Sequence, residues 1–238
     1  MMFRIEDMRT GINYAFNSNE FRDFLILKTN SVFENSAVTQ ERTNQRFPIL
    51  TDISSINNDI SIQNGLFLVT ALSRINSDKR SRYVLLVDGT AVSNNILHNF
   101  QEYVPVFRVV IDNDNATELV PSSLSKWFRS NMGRAFSFVD IDYFLFKNNF
   151  SRVLMIEEKA SYNATLGYGQ RISYNEMLND VIRFNSKLTV IFKDPNNEVI
   201  RSYSLEKTDA SINYSNIDFE SRGALYDYII NYFQKGRE

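Results

Sequence analysis

Two stretches decide the fold: FVDIDYFLF at residues 138–146 and VLMIEEK at residues 153–159. Both are strongly apolar and of strand length, which predicts neighbouring strands of a sheet that is covered on both faces. Acidic residues and one lysine nevertheless stand inside them. A buried carboxylate costs several kcal/mol unless something compensates, and a nearby cation is the simplest compensation. The two stretches therefore predict a hairpin that carries buried charges.

The register of this hairpin decides which charged side chains meet. A symmetric loop between the strands places Asp142 opposite Glu157 and Asp140 opposite Lys159, with Cβ atoms roughly 4.5–5.5 Å apart. A shorter, two-residue turn places Asp140 opposite Glu157 instead. In both registers these four side chains share one face of the hairpin, and Glu158 points to the other face. A β-bulge would change this arrangement.

This set of side chains suits metal-assisted chemistry. Two facing carboxylates such as Asp142 and Glu157 can hold one divalent ion, and oxygen ligands without His or Cys select Mg²⁺, with Mn²⁺ as a substitute. The ammonium of Lys159 can orient a water molecule or neutralise charge that develops on a phosphate. The pattern therefore favours hydrolysis of a phosphodiester bond.

Composition excludes several other classes of function. The chain has 238 residues, 43% of them hydrophobic, and it contains no cysteine and only one histidine, His98. Disulfides, thiolate chemistry and sites with two imidazoles are therefore excluded. No glycine-rich phosphate loop is present. The net charge of −2 and the pI of about 5.6 give no general support for nucleic-acid binding, so DNA would need a local basic cleft.

The same reading predicts where the protein resides. No apolar run approaches the roughly 18 residues of a transmembrane helix, and the first nine residues carry charges and no apolar core of a secretory signal. We therefore expect no membrane partner and a cytoplasmic protein, in the host cytoplasm if it is viral. The many Asn residues are compatible with a protein of a virus or a mobile element.

Hydrophobic periodicity predicts a mixed α/β chain. Predicted helices span residues 19–28, 121–133, 170–185 and 220–234. Predicted strands span residues 66–72, 83–87, 106–111, 135–146, 152–159, 188–194 and 199–205. The pair Asp88-Gly89 indicates either a hairpin to residues 90–92 or a turn into a helix. A soft boundary near the DNDN sequence at residues 112–115 separates an N-terminal α/β extension, residues 1–115, from a core at residues 116–238.

An acidic residue on one strand followed by Glu-x-Lys on the next resembles the signature of the PD-(D/E)xK, or restriction-endonuclease-like, nuclease superfamily. Here the matching residues are Asp142, Glu157 and Lys159. Gln170 and Tyr174 match the QxxxY motif of the RecB-like and Holliday-junction-resolvase-like branch. Since they are four residues apart, they would lie on one side of a helix. The resemblance covers roughly residues 118–195.

The resemblance implies a fold and a set of roles. The fold would be α/β with a restriction-endonuclease-like core, in which helices flank a central mixed β-sheet. The N-terminal α/β elaboration matches no family, and we expect it to extend that sheet or to form a lid that sets substrate choice. Asp142 and Glu157 would be metal ligands, with Asp140 and the carbonyl of Glu158 as further candidates, and Lys159 would be the charged catalytic partner. In that branch the Gln and Tyr, here Gln170 and Tyr174, lie beside the site.

Some positions depart from the family pattern. Ile141 stands where a proline is common, and the presence of both Asp140 and Asp142 leaves the first ligand ambiguous, although Asp142 is favoured. Phosphate contacts are predicted for three arginines that flank the site in sequence: Arg134, Arg152 and Arg171. The basic run at residues 79–82 is expected to be a solvated loop.

Three functions follow as hypotheses. The first is a Mg²⁺-dependent DNA endonuclease, restriction-like or acting on branched DNA, which as a homodimer could address two strands. The second is a RecB-like exonuclease in recombination or repair. The third is a DNA-binding or assembly protein without catalysis on the same fold. The simplest alternative is an edge hairpin whose Asp142, Glu157 and Lys159 are solvated charges at strand ends, because Glu-x-Lys by itself is a common pattern.

Overall fold

The computed structural model describes residues 1–30, 60–63, 65–72, 81–89, 104–112, 121–147, 152–159, 164–178, 185–193, 200–207 and 212–234. Within these ranges the chain is a mixed α/β protein with two six-stranded sheets and four helices. It divides into two compact units, each built from three segments of the chain. In the described part of the chain, no helix has the length and apolarity needed to cross a membrane.

Unit 1 comprises residues 1–44, 64–141 and 167–181. Its strands are β1 (Met2–Asp7), β2 (Asn13–Asn17), β4 (Leu66–Ala71), β5 (Tyr83–Asp88), β6 (Val106–Asp112) and β7 (Phe136–Ile141). They form a sheet in the order β2-β1-β6-β5-β4-β7, in which only the β5–β6 pair is parallel among the described pairings. Its helices are α1 (Ser18–Thr29), α2 (Pro121–Asn131) and α3 (Tyr168–Glu176).

One face of the unit 1 sheet packs against α1 and α2. Helix α1 begins with a capping box, because the side chain of Asn17 accepts the amides of Asn19 and Glu20 while Glu20 accepts the amide of Asn17. An aromatic cluster fills the space between sheet and helices, and Phe3 stacks on Phe21 and meets Trp127 edge-on. This burial of large rings holds the two helices on the sheet.

Helix α3 belongs to unit 1 and packs closely on β7. A Cβ atom added to Gly169 would lie 2.7 Å from Oγ of Ser137, so glycine permits this close approach. Ser173, one turn further along the helix, is fully buried. The helix is therefore fixed against the sheet near its N-terminal end.

Unit 2 comprises residues 45–63, 142–166 and 182–238. Its strands are β3 (Ile60–Gln63), β8 (Tyr143–Lys147), β9 (Arg152–Lys159), β10 (Asn185–Lys193), β11 (Ile200–Lys207) and β12 (Ile212–Phe219), and its helix is α4 (Arg222–Gln234). They form a sheet in the order β12-β11-β10-β9-β8-β3, with β9 and β10 parallel. Leu154 and Ile156 of β9 share a core cluster with Leu225, Ile229 and Phe233 of α4. This strand is thus an inner strand that α4 covers on one face.

Most predicted elements are present. The helix at residues 19–28, the strands at residues 66–72, 83–87, 106–111 and 152–159, and the helix at residues 220–234 all correspond to described elements. The predicted hairpin of β10 and β11 is also confirmed. Four strands, β1, β2, β3 and β12, were not predicted from the sequence. Residues 90–103 and His98 lie outside the described residues.

Two predictions about elements are corrected by the structure. The single strand over residues 135–146 is two strands, because β7 belongs to the unit 1 sheet and β8 to the unit 2 sheet. The helix predicted from about residue 170 to residue 185 is present as α3, but its predicted end is wrong, because Asn185 begins β10. Strand β5 pairs with β4 and with β6, and residues 90–92 of the predicted Asp88-Gly89 hairpin lie outside the described residues.

The predicted domain boundary near residue 115 lies in residues 113–120, outside the described residues. Helix α2, β7 and α3 are grouped with the N-terminal strands, so the two compact units interleave along the chain. The β8–β9 hairpin and the β10–β11 hairpin both belong to unit 2. The position of a residue relative to 115 is therefore a poor guide to the unit that holds it.

Candidate functional site

Asp142 stands where the chain leaves one sheet and enters the other. Strand β7 ends at Ile141 and β8 begins at Tyr143. Tyr143 pairs with Ile156 in the antiparallel β8–β9 ladder, which is the register predicted for a symmetric loop. Continued by one step, this register places Asp142 beside Glu157 on neighbouring strands.

The carboxylate of Asp142 takes part in the end of the β8–β9 ladder. Its Oδ2 accepts a hydrogen bond from the backbone N–H of Glu158 at 2.8 Å. Strand β7 ends at Ile141 and β8 begins at Tyr143, so Asp142 lies between strands of two different sheets. Its side chain supplies an acceptor for this partly buried amide.

Glu157 and Lys159 form an ion pair on one face of β9. Lys159 Nζ lies 2.6 Å from Glu157 Oε1, and their side chains are only 14% and 6% exposed. Residues two apart on a strand point to the same face, which explains the contact. The expected compensation of a buried carboxylate by a cation is therefore present.

The pair lies on the face of β9 opposite to α4. Leu154 and Ile156 point toward α4, so Glu157 and Lys159 point away from it, together with the buried Met155. Glu158 points to the α4 side, as the sequence predicted. The charged end of β9 is thus separate from the apolar core of unit 2.

The two carboxylates at this strand end are of the chemical type that binds a hard divalent ion. Glu157 Oε1 already contacts the ammonium of Lys159, and Asp142 Oδ2 accepts the Glu158 amide. One or two carboxylates with water completing the shell is the usual way in which proteins hold Mg²⁺. Among the described residues, no group of three or more Asp, Glu or His side chains converges to hold a metal.

Asp140 does not lie on the β8–β9 hairpin. It belongs to β7 and pairs with Phe67 of β4 in the unit 1 sheet. The prediction that Asp140 faces Lys159 or Glu157 across the hairpin is therefore wrong. The reason is the break at Asp142, which ends the strand that both predicted registers assumed to be continuous.

Gln170 and Tyr174 lie on α3 in unit 1, whereas Glu157 and Lys159 lie in unit 2. Gln170 Oε1 accepts the backbone N–H of Gly167 at 3.2 Å, which caps the start of its own helix. Tyr174 is buried, with 1% exposure. In unit 1, Gln170 thus helps to cap α3, and Tyr174 packs in the protein interior.

The three predicted phosphate-contacting arginines lie in different places. Arg152 begins β9, about 16 Å along the strand from Glu157. It donates to the carbonyl of Tyr232 near the end of α4, and its guanidinium lies 5.5 Å from the centre of the Tyr232 ring. Arg134 and Arg171 belong to unit 1, where both are exposed.

A second, mostly buried ion pair was not predicted from the sequence. Arg82, predicted to lie in a solvated loop, contacts Glu176 of α3 at 3.4 Å, with side chains 19% and 16% exposed. The solvated-loop prediction is wrong for Arg82, while Lys79 and Arg80 lie outside the described residues. No local pattern links these two residues, because they are far apart in sequence.

Comparison of the chain with protein-family models, with curated proteins and with solved structures finds no match. The geometry of the β8–β9 strand end is therefore the main evidence on function.

Proposed function

We propose that this protein is a metal-dependent deoxyribonuclease that hydrolyses phosphodiester bonds, most simply as an endonuclease. The observation that carries the proposal is the nearly buried Glu157–Lys159 pair at the end of β9, together with Asp142, whose carboxylate accepts the amide of Glu158 on the same strand. A carboxylate and an ammonium inside an otherwise apolar strand are costly to fold. Residues kept at such a cost are good candidates for chemistry.

The proposed roles follow from the chemistry of each group. Asp142 and Glu157 would hold Mg²⁺, with the Glu158 carbonyl as a further ligand, and Mn²⁺ would substitute for it. The ion would supply Lewis-acid activation of water and of the phosphate. Lys159 would bring a fixed positive charge to the phosphate or orient the attacking water. Arg134 and Arg171 are exposed and are further candidates for contacts with DNA. The roles of Gln170 and Tyr174 stay predictions from the sequence.

The proposed fold is the restriction-endonuclease-like core. The support is the order of α2, β7, β8, β9, α3 and β10, with an acidic residue before β8, Glu-x-Lys at the end of β9 and a parallel β9–β10 pair. DNA is the proposed partner, and a homodimer acting inside the cell is the proposed form. Cleavage from DNA ends by a RecB-like exonuclease would use the same groups.

A protein without catalysis is the second candidate, and one observation favours it. Asp142 already accepts the Glu158 amide and Glu157 already contacts Lys159. Both carboxylates thus have partners that a structural role alone would explain. Such a protein would bind DNA or act in an assembly without cutting.

A cleavage assay separates these candidates. The full chain is incubated with supercoiled plasmid and with linear duplex DNA in Mg²⁺, in Mn²⁺ and in EDTA. We expect nicking or linearisation of the plasmid with either ion and none with EDTA. Cleavage restricted to linear DNA would indicate the exonuclease.

The Lys159→Ala variant tests the assignment of the site. We expect it to lose cleavage while it retains the circular dichroism spectrum of the native chain. Lys126→Ala on the exposed side of α2 is the matched control and should cut normally. Full activity of Lys159→Ala would exclude the assigned role, and absence of cleavage by the native chain on every substrate would favour the second candidate.

A further inference from the structure

The ammonium of Lys159 contacts a carboxylate oxygen that the proposed metal ion would also need. Its Nζ contacts Glu157 Oε1 at 2.6 Å, the contact distance of a charge-assisted hydrogen bond. Glu157 is the more buried member of the pair, so its carboxylate has little water to stabilise it. A divalent ion binding to Glu157 must displace the ammonium from this oxygen or lie close to a second positive charge.

We propose that Lys159 is the resting occupant of the cation site and sets its affinity for divalent ions. This inference rests on the proposed function for its metal site, and it assigns Lys159 a role that precedes any reaction with DNA. The ammonium compensates Glu157 while no metal is bound. It then competes with the ion for the same carboxylate. The ion pair therefore lowers the affinity of the site for divalent ions and raises the stability of the metal-free protein.

The local geometry limits how Lys159 can respond. Glu157 and Lys159 are on the same strand and face, so no movement of one element relative to another is needed to separate them. The long Lys side chain can swing away by changes of its own torsion angles. Displacement by an ion is therefore a local event at the end of β9.

Mn²⁺ binding to the full chain without DNA tests this inference, by titration calorimetry or by the electron paramagnetic resonance signal of free Mn²⁺. The variant is Lys159→Met, which keeps the length of the side chain and removes its charge. We expect it to bind Mn²⁺ more tightly, by on the order of tenfold or more, because like charges at such short range repel strongly. Lys126→Met should bind as the native chain does.

The Glu157→Gln variant tests whether the gain in Mn²⁺ affinity depends on the Glu157 carboxylate. In the Lys159→Met background it should remove the gain in affinity. Unchanged or weaker Mn²⁺ binding by Lys159→Met would overturn the inference, as would the absence of Mn²⁺ binding in every variant.

Thermal unfolding provides a second measurement if Lys159→Met folds poorly. Lys159→Gln keeps a hydrogen-bond donor for Glu157 and lacks the charge. We expect its Tm to be below that of the native chain without metal and to rise more on addition of Mn²⁺. Equal rises in Tm would indicate a structural role only and would overturn the inference.

These results are separable from the test of function. Tighter Mn²⁺ binding by Lys159→Met in a protein that never cuts DNA would support the inference and refute the nuclease. Cleavage by the native chain together with unchanged Mn²⁺ binding by Lys159→Met would support the nuclease and refute the inference.

Discussion

Among the described residues, each unit contains an ion pair between a glutamate and a basic residue whose side chains are both less than a fifth exposed, but the two pairs connect different elements. In unit 1, Arg82 lies just before β5 and Glu176 lies on α3, so the pair joins two separate elements. In unit 2, Glu157 and Lys159 lie two residues apart on β9, which the backbone already holds together. The first contact can fix a helix on a sheet, whereas the second joins two residues that β9 already holds close together.

The difference bears on why each pair exists. A buried ion pair is often no more stabilising than apolar residues of similar size, because removing two charges from water is costly. The Arg82–Glu176 pair offsets this cost by specifying where α3 lies. The Glu157–Lys159 contact joins two residues of one strand, so it specifies no packing between elements. A role in chemistry at the strand end is the proposal that the variants below test.

The largest expected effect is on the rate of DNA cleavage, when the same Glu→Gln substitution is made in each of the two pairs. Glu157→Gln should lower DNA cleavage by about a hundredfold to a thousandfold, because it removes a proposed metal ligand. Glu176→Gln makes the same chemical change in unit 1 and should leave the cleavage rate of folded protein near that of the native chain. Initial rates on supercoiled plasmid, measured well below each Tm, check this. Equal rates for the two variants would mean that the Glu157 pair is as structural as the Glu176 pair.

The next effect concerns stability. Arg82→Met removes the cation that Glu176 contacts and leaves a mostly buried carboxylate, which should lower the free energy of unfolding by about 3 kcal/mol. Urea denaturation measures it. The matched control is Arg4→Met, because the Arg4–Asp112 pair is 64% and 47% exposed. An exposed pair contributes roughly 0–1 kcal/mol, so a similar loss in both variants would contradict the structural role of Arg82.

The pairing of β8 with β9 in unit 2 was predicted correctly from the sequence. The break at Asp142, between β7 of unit 1 and β8 of unit 2, was not predicted. The register of β8 and β9, with Tyr143 opposite Ile156, agrees with the symmetric loop considered from the sequence. The break at Asp142 had no signal, because residues 138–146 form one strongly apolar stretch of strand length that contains no Gly or Pro. An apolar stretch of this kind predicts a strand, but it does not show which sheet the strand joins.

Other misses have the same physical origin. Strand β12 is rich in Asn and Ser, so its composition did not suggest a strand, and its pairing with β11 depends on tertiary context. The Arg82–Glu176 contact depends on how α3 packs, and one sequence does not contain that information locally. The buried Glu157–Lys159 contact was predictable because both partners lie on one strand.

The smallest expected change would come from removing both charges at the strand end. The double variant Glu157→Leu with Lys159→Met replaces the ion pair by apolar side chains of similar size, which is often neutral or stabilising. In the absence of metal we expect its free energy of unfolding to lie within about 1 kcal/mol of the native value or above it. The matched double variant, Arg82→Met with Glu176→Leu, should lose more stability, because it also loses the contact that positions α3. Urea denaturation in EDTA compares the two. If instead the unit 2 double variant were the less stable, the Glu157–Lys159 pair would be stabilising the fold. Its burial would then give no support to a role in DNA cleavage.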